Sequence, residues 1–194
     1  MGGIFIAPYN DIMTVPEDDR IKILELCMKS YNYHTCNGDY FNCIFQTKNP
    51  AEYFDYLDMI PPGSWLGTTI EETATVTEYY KMTKAPSTDS RHLAMQRLNT
   101  YPHFRRFVTI EPIMKFDIRY MVSWMRDMKP DLVFIGADTG KHNLPDPTGE
   151  EVKDLIFELR DFTIVECKKN LERIVGKAWM DGEKLAIQQM KEKG

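Results

Sequence analysis

The chain has 194 residues, a formal net charge of -5, 43% hydrophobic and 27% charged residues. These values belong to a soluble globular chain with a core of its own, and they exclude a disordered tail or a collagen-like repeat. The acidic balance argues against a general nucleic-acid clamp, although Lys168, Lys169 and Arg173 form a locally basic stretch.

In chain order, Ile4 to Ala7 is a short apolar run that predicts a first strand, with Asn10 and Asp11 in the polar loop at its end. Thr14 is placed to cap a helix whose first turn holds Pro16 and three acids, and whose buried stripe is Ile21, Leu24 and Met28. Asn37-Gly38-Asp39 marks a loop before a second strand, Asn42 to Thr47. Asn49-Pro50 then opens a helix with Tyr53, Phe54, Leu57 and Ile60 inward, stopped by Pro61-Pro62-Gly63. Ser64 to Thr69 is the third strand, followed by a weakly helical stretch from Glu72 to Lys84, and Ser87 caps a helix carrying Leu93, Met95 and Leu98.

The segment from Arg106 to Asn143 is one strand, helix and strand. Arg106 to Met114 and Asp131 to Asp138 are rich in β-branched and aromatic residues, and each strand-like run closes on a carboxylate, Glu111 or Asp138. Between them Ile118, Met121, Val122 and Met125 recur at helical spacing until Pro130. Thr148 opens a further helix with Val152, Leu155, Ile156 and Leu159 inside, Phe162 to Cys167 is a sixth strand, and the stretch from Asp181 reads as a surface helix.

Six strands alternating with helices predict an α/β fold with parallel strands. A doubly wound sheet competes with a partial (β/α)6-type TIM-like barrel. Polar residues at all six strand ends favour the partial barrel, with residues 1–176 as the barrel domain and 177–194 as a C-terminal helical tail.

In such a fold the strand ends share one mouth. Gln46, Lys48, Thr69, Glu71, Glu111, Asp138, Lys168 and Asn170 lie there, a mixture of donors and acceptors suited to a polar small-molecule or nucleotide ligand. Helix capping accounts for Asn and Asp in these positions but not for Gln46, Glu71, Glu111 and Lys168. His142 and Asn143 occupy the loop after the fifth strand, where an imidazole serves as acid, base or turn-forming group. The remaining histidines, His34, His92 and His103, fall on expected surfaces, and the residue spacing defines no metal site. Cys27, Cys36, Cys43 and Cys167 match neither a zinc ribbon nor a redox pair, and free thiols point to a cytoplasmic setting. No apolar run approaches the ~20 residues that cross a bilayer, so no membrane association is expected.

Several segments resemble one family in the same order: Phe45-Gln46-Thr47-Lys48-Asn49-Pro50, Trp65 to Glu71, Lys84-Ala85-Pro86-Ser87 with Arg91, Ile110-Glu111-Pro112-Ile113, Ile135 to Asp138, His142 to Pro145 and Lys168 to Leu171. They are similar to a phage-borne, radical-SAM-like family of uncharacterised proteins. The resemblance implies a partial barrel whose strand ends hold S-adenosylmethionine beside a 4Fe–4S cluster, with Glu71, Glu111, Asp138 and Thr69 on the cofactor. It places Gln46, Lys48, His142, Asn143, Lys168 and Asn170 toward a substrate. The sequence departs from that pattern in lacking a three-cysteine loop, so a cluster is not expected on this chain alone. The expectation is a cofactor- and substrate-binding portion with the loop absent or supplied by a separate polypeptide, or else a non-catalytic accessory protein. An open sheet edge further predicts a homodimer or a covering segment.

Overall fold

Six short strands lie side by side in sequence order, every neighbouring pair parallel: β1 (Ile4–Phe5), β2 (Cys43–Thr47), β3 (Trp65–Thr69), β4 (Arg105–Ile110), β5 (Leu132–Ile135) and β6 (Ile164–Cys167). The computed structural model describes residues 4–6, 11–73, 83–140 and 142–192. A doubly wound sheet would reverse its order at a switch point. This one never does, and it curls into a half-barrel of the TIM-like kind.

Register divides the strand residues between two faces, because side chains alternate along each strand. Phe45, Leu66, Val108, Val133 and Val165 face the helices and belong to the main core. Ile44, Phe107 and Leu132 point to the inner face and form a separate apolar cluster, flanked by Trp65 and Phe134. Gly67 on β3 makes room for this cluster: a Cβ there would stand 2.2 Å from the Phe107 ring. Further along the same face the residues turn polar, with Gln46, Thr69, Thr109 and Glu166 approaching the strand C-termini.

Six α-helices accompany the sheet among the described residues: α1 (Glu17–Cys36), α2 (Thr88–Arg97), α3 (Ile118–Met128), α4 (Gly149–Arg160), α5 (Glu172–Val175) and α6 (Lys177–Glu192). Ser87 caps α2 by accepting from the Ser90 amide, and Thr148 with Glu151 forms a reciprocal capping box on α4. α3 runs until Lys129 adopts a left-handed conformation, one residue before Pro130. The apolar stripes of α3 and α4 bury Met121 and Met125, and Val152, Leu155, Ile156 and Leu159.

Several elements differ from the sequence expectation. Thr14 does not cap α1: its hydroxyl donates back to the Asp11 carbonyl in a 3-10 turn, and α1 begins after Pro16. That turn is held from the side by Arg20, buried in the stripe with Leu24 and Cys27, which donates to the carbonyls of Met13 and Val15. Ile21 and Met28 are only half-buried.

The expected helix after Asn49 is two 3-10 stretches, Pro50–Asp55 and Leu57–Met59. They still bury Tyr53, Leu57 and Ile60, and the Tyr53 hydroxyl lies 2.8 Å from the Gly67 carbonyl, tying the connection to the sheet. Leu93 is exposed, since α2 turns Arg91, His92, Ala94 and Met95 inward instead. His92 is therefore not a surface residue but stacks on Trp124 of α3 at 5.0 Å. The C-terminal helix starts at Lys177 and buries Met180, so its first turn belongs to the core. The weak helix expected from Glu72 to Lys84 falls largely on residues 74–82, and Ala7 and Asn10 of the first strand and its loop likewise lie outside the described residues.

Candidate ligand site at the strand ends

The strand-end carboxylates Glu71, Glu111 and Asp138 sit two, one and three residues beyond their strands, which close at Thr69, Ile110 and Ile135 rather than on the acids themselves. Backbone bonds carry the ladder onward: Ile70 donates to Thr109, Gly136 to Ile110 and Lys168 to Ile135. Side chains just past the strands are thereby held in the sheet's alternation, and opposite charges meet from adjacent strands, as at β2 and β3, or across one strand, as at β4 and β6.

Glu71 follows β3 and is sealed, with 0% of its side chain exposed. One oxygen takes the Lys48 ammonium from β2 at 2.5 Å, the other the Arg91 guanidinium from α2 at 2.7 Å. The same Arg91 nitrogen reaches the carbonyl and hydroxyl of Thr69, while its Nε donates to the Pro86 carbonyl. Arg91 thus ties the loop at residues 83–87 to the end of β3. An ion pair this deep is stable only while both partners remain, because a single buried charge is heavily penalised.

Glu111 follows β4 and is more open, with 25% of its side chain exposed. Lys168, 41% exposed at the end of β6, pairs with Oε2, and the Asn170 amide donates to Oε1 at 2.5 Å. Asn170 also donates to the Ala137 carbonyl at 2.9 Å and accepts from the Ala137 amide, so its orientation is set by backbone. Glu111 reaches across β5 because Gly136 stands beneath it: a Cβ there would lie 2.6 Å from the carboxylate. Glycine at this position lets three strand ends share one charged cluster.

Asp138 lies in the loop after β5, directly following Ala137. Its Oδ2 accepts from the His142 amide at 2.8 Å, and its Oδ1 accepts from the Gly140 amide and contacts His142 Nδ1 at 2.9 Å. Burial pushes this carboxyl up, but the His142 ring and the two amides outweigh it and hold the group below the usual Asp range. Asn143, with φ of 53°, is exposed beside it.

The two lysines at the strand ends each meet one acid, Lys48 with Glu71 and Lys168 with Glu111. The three carboxylates are nevertheless satisfied in three different ways: one enclosed by two cations, one half-open, one joined to a histidine. Gln46 lies on the inner face below them, and its side chain makes no hydrogen bond among the described residues. A cavity of about 380 Å³ adjoins the Glu71 end, lined by Asp11, Lys48, Glu52, Lys84 and Pro86 among others. Arg91, quoted with Lys84 to Ser87 in the resemblance, was given no site role from sequence, since nothing in the sequence brings it to Glu71.

The thiols do not fit an iron–sulfur cluster, which needs three convergent thiolates. Cys27 and Cys43 are buried between α1 and β2, where a hydrogen bond between them raises Cys43 and lowers Cys27. Cys36 is exposed at the end of α1, and Cys167 closes β6, its thiol pushed up to about 11 by burial. Among the described residues no three His, Cys, Asp or Glu side chains are placed to hold a metal ion. No helix among them is long and apolar enough to cross a membrane. No protein-family model, curated protein or solved structure matches the chain.

Proposed function

We propose that the rim of the half-barrel binds a small zwitterionic, hydroxyl-bearing ligand of the S-adenosylmethionine class. On this reading the chain is the cofactor- and substrate-binding portion of a radical-SAM-like phage enzyme whose cysteine loop is absent here or supplied by a separate polypeptide. The observation that carries it is the convergence of Glu111, Lys168 and Asn170 over Gly136. A half-exposed carboxylate there accepts an ammonium or ribose hydroxyl, and the lysine beside it takes a carboxylate, matching both ends of an amino-acid group. Glu71 and Thr69, braced by Arg91, stand at the end of the adjacent β3, and on this reading Gln46, Lys48, His142 and Asn143 belong to the substrate side of the same mouth. When bound, the cofactor supplies a carbon activated by its sulfonium; the chain's residues bind and orient it.

A second reading is a non-catalytic accessory protein on the same scaffold. It is favoured by the internal neutralisation of Glu71, whose two oxygens already hold Lys48 and Arg91. The two readings separate on ligand contact. Amide NMR shifts of Gly136, Ala137 and Asn170 during titration with S-adenosylhomocysteine report it directly. Saturable shifts at these three support the first reading, and unmoved amides at millimolar ligand support the second.

A further inference from the structure

The pairing of Asp138 with His142 has a chemical direction. A carboxylate 2.9 Å from Nδ1 accepts a hydrogen bond from that nitrogen, so the ring's proton is held on Nδ1 and the Nε2 lone pair is left free. The carboxylate cannot turn away, because the Gly140 and His142 amides grip its two oxygens. The ring lies over Gly140 in room that only glycine leaves, since a Cβ there would stand 1.8 Å from Cε1. Asp138 is 10% exposed and His142 52% exposed, so the ring is open to solvent while its orienting acid is screened from water. This is an imidazole with one nitrogen fixed and the other presented, as proton transfer requires.

Its position connects it to the rim. Asp138 directly follows Ala137, whose carbonyl and amide are both bonded to Asn170, and Asn170 bonds Glu111. We infer that Asp138 and His142 form a proton-accepting dyad, in which His142 Nε2 takes a proton from an O–H or N–H group of the ligand held by Glu111, Lys168 and Asn170. Such groups on a zwitterionic nucleoside are a ribose hydroxyl or an α-ammonium. The proton moves to Nε2 as the ligand oxygen or nitrogen keeps its electron pair, the resulting imidazolium is balanced by Asp138, and the exposed ring returns the proton to solvent. The ligand's identity rests on the reading proposed above; the dyad itself does not.

Two measurements on the ligand-free chain test it. Long-range 1H–15N NMR at pH 8 is expected to show His142 as the Nδ1–H tautomer, which Asp138→Asn converts to the Nε2–H form preferred by free histidine. Acylation by diethylpyrocarbonate, followed by peptide mass, is expected at His142 and several-fold slower in Asp138→Asn. A loop bonded only for its shape would behave oppositely, since loosening it exposes the ring and speeds acylation. An Nε2–H tautomer in the wild type, or acylation unchanged or faster in the variant, overturns the dyad. Failure of S-adenosylhomocysteine to bind would remove the proposed ligand and leave these two results standing.

Discussion

The carboxylate of Glu111 lies directly over Gly136, its Oε1 2.6 Å from where a Cβ would stand. Asn170 Oδ1 is 2.9 Å from the same point, so any side chain on β5 here must push aside the anchors of the rim. Gly136→Ala is therefore expected to destabilise the chain by about 1–3 kcal/mol, the usual cost of overpacking. Urea unfolding gives the loss. Unchanged stability would mean that Glu111 and Asn170 swing away freely and are not anchored.

Glu71 and its two cations differ in depth, and substitutions should separate them. Glu71→Gln removes the negative charge paired with the fully buried Arg91 and is expected to cost about 3 kcal/mol or more. Lys48→Met removes a partner that is 37% exposed and should cost less than about 1 kcal/mol. Denaturant midpoints of the two variants give the comparison, and equal losses would contradict the assignment of Arg91 as the structural partner.

His92 predicts a pH dependence. Burial pushes its imidazole below the ordinary value of 6.5, and Asp127, 3.3 Å away, only partly pulls it back. In the window below 6.5 the unfolded chain binds a proton that the folded chain resists. The neutral ring's contribution is thus complete above that value and declines as pH falls through it toward the lower folded value. His92→Phe keeps a flat ring against Trp124 and removes the titration, so its stability should be flatter across this window than the wild type's. Equal slopes in thermal melts would refute the assignment.

Strands were legible because each is a brief β-branched or aromatic run bounded by turn residues; their alternation with helices implied parallel order, and their common polar ends the partial barrel. That Lys48, Lys168 and the strand-end acids share one mouth was legible as well, but which lysine meets which acid was not. The Tyr53 to Ile60 connection was not, since apolar residues three and four apart suit 3-10 turns and an α-helix alike. Arg91 was hidden because its role depends on the Thr69 carbonyl and Glu71, which only the packed helix brings near. His92 was hidden likewise: a polar residue on a weakly amphipathic helix does not announce that Trp124 will cover it.

Titration calorimetry with S-adenosylhomocysteine checks the proposal that Glu111 binds the charged end of a zwitterionic nucleoside. Measurable binding to the wild type is expected, weakened about tenfold or more by Glu111→Gln, since a charge-assisted hydrogen bond contributes ~1.5–3 kcal/mol. No heat at millimolar ligand, or an affinity indifferent to Glu111→Gln, would contradict it.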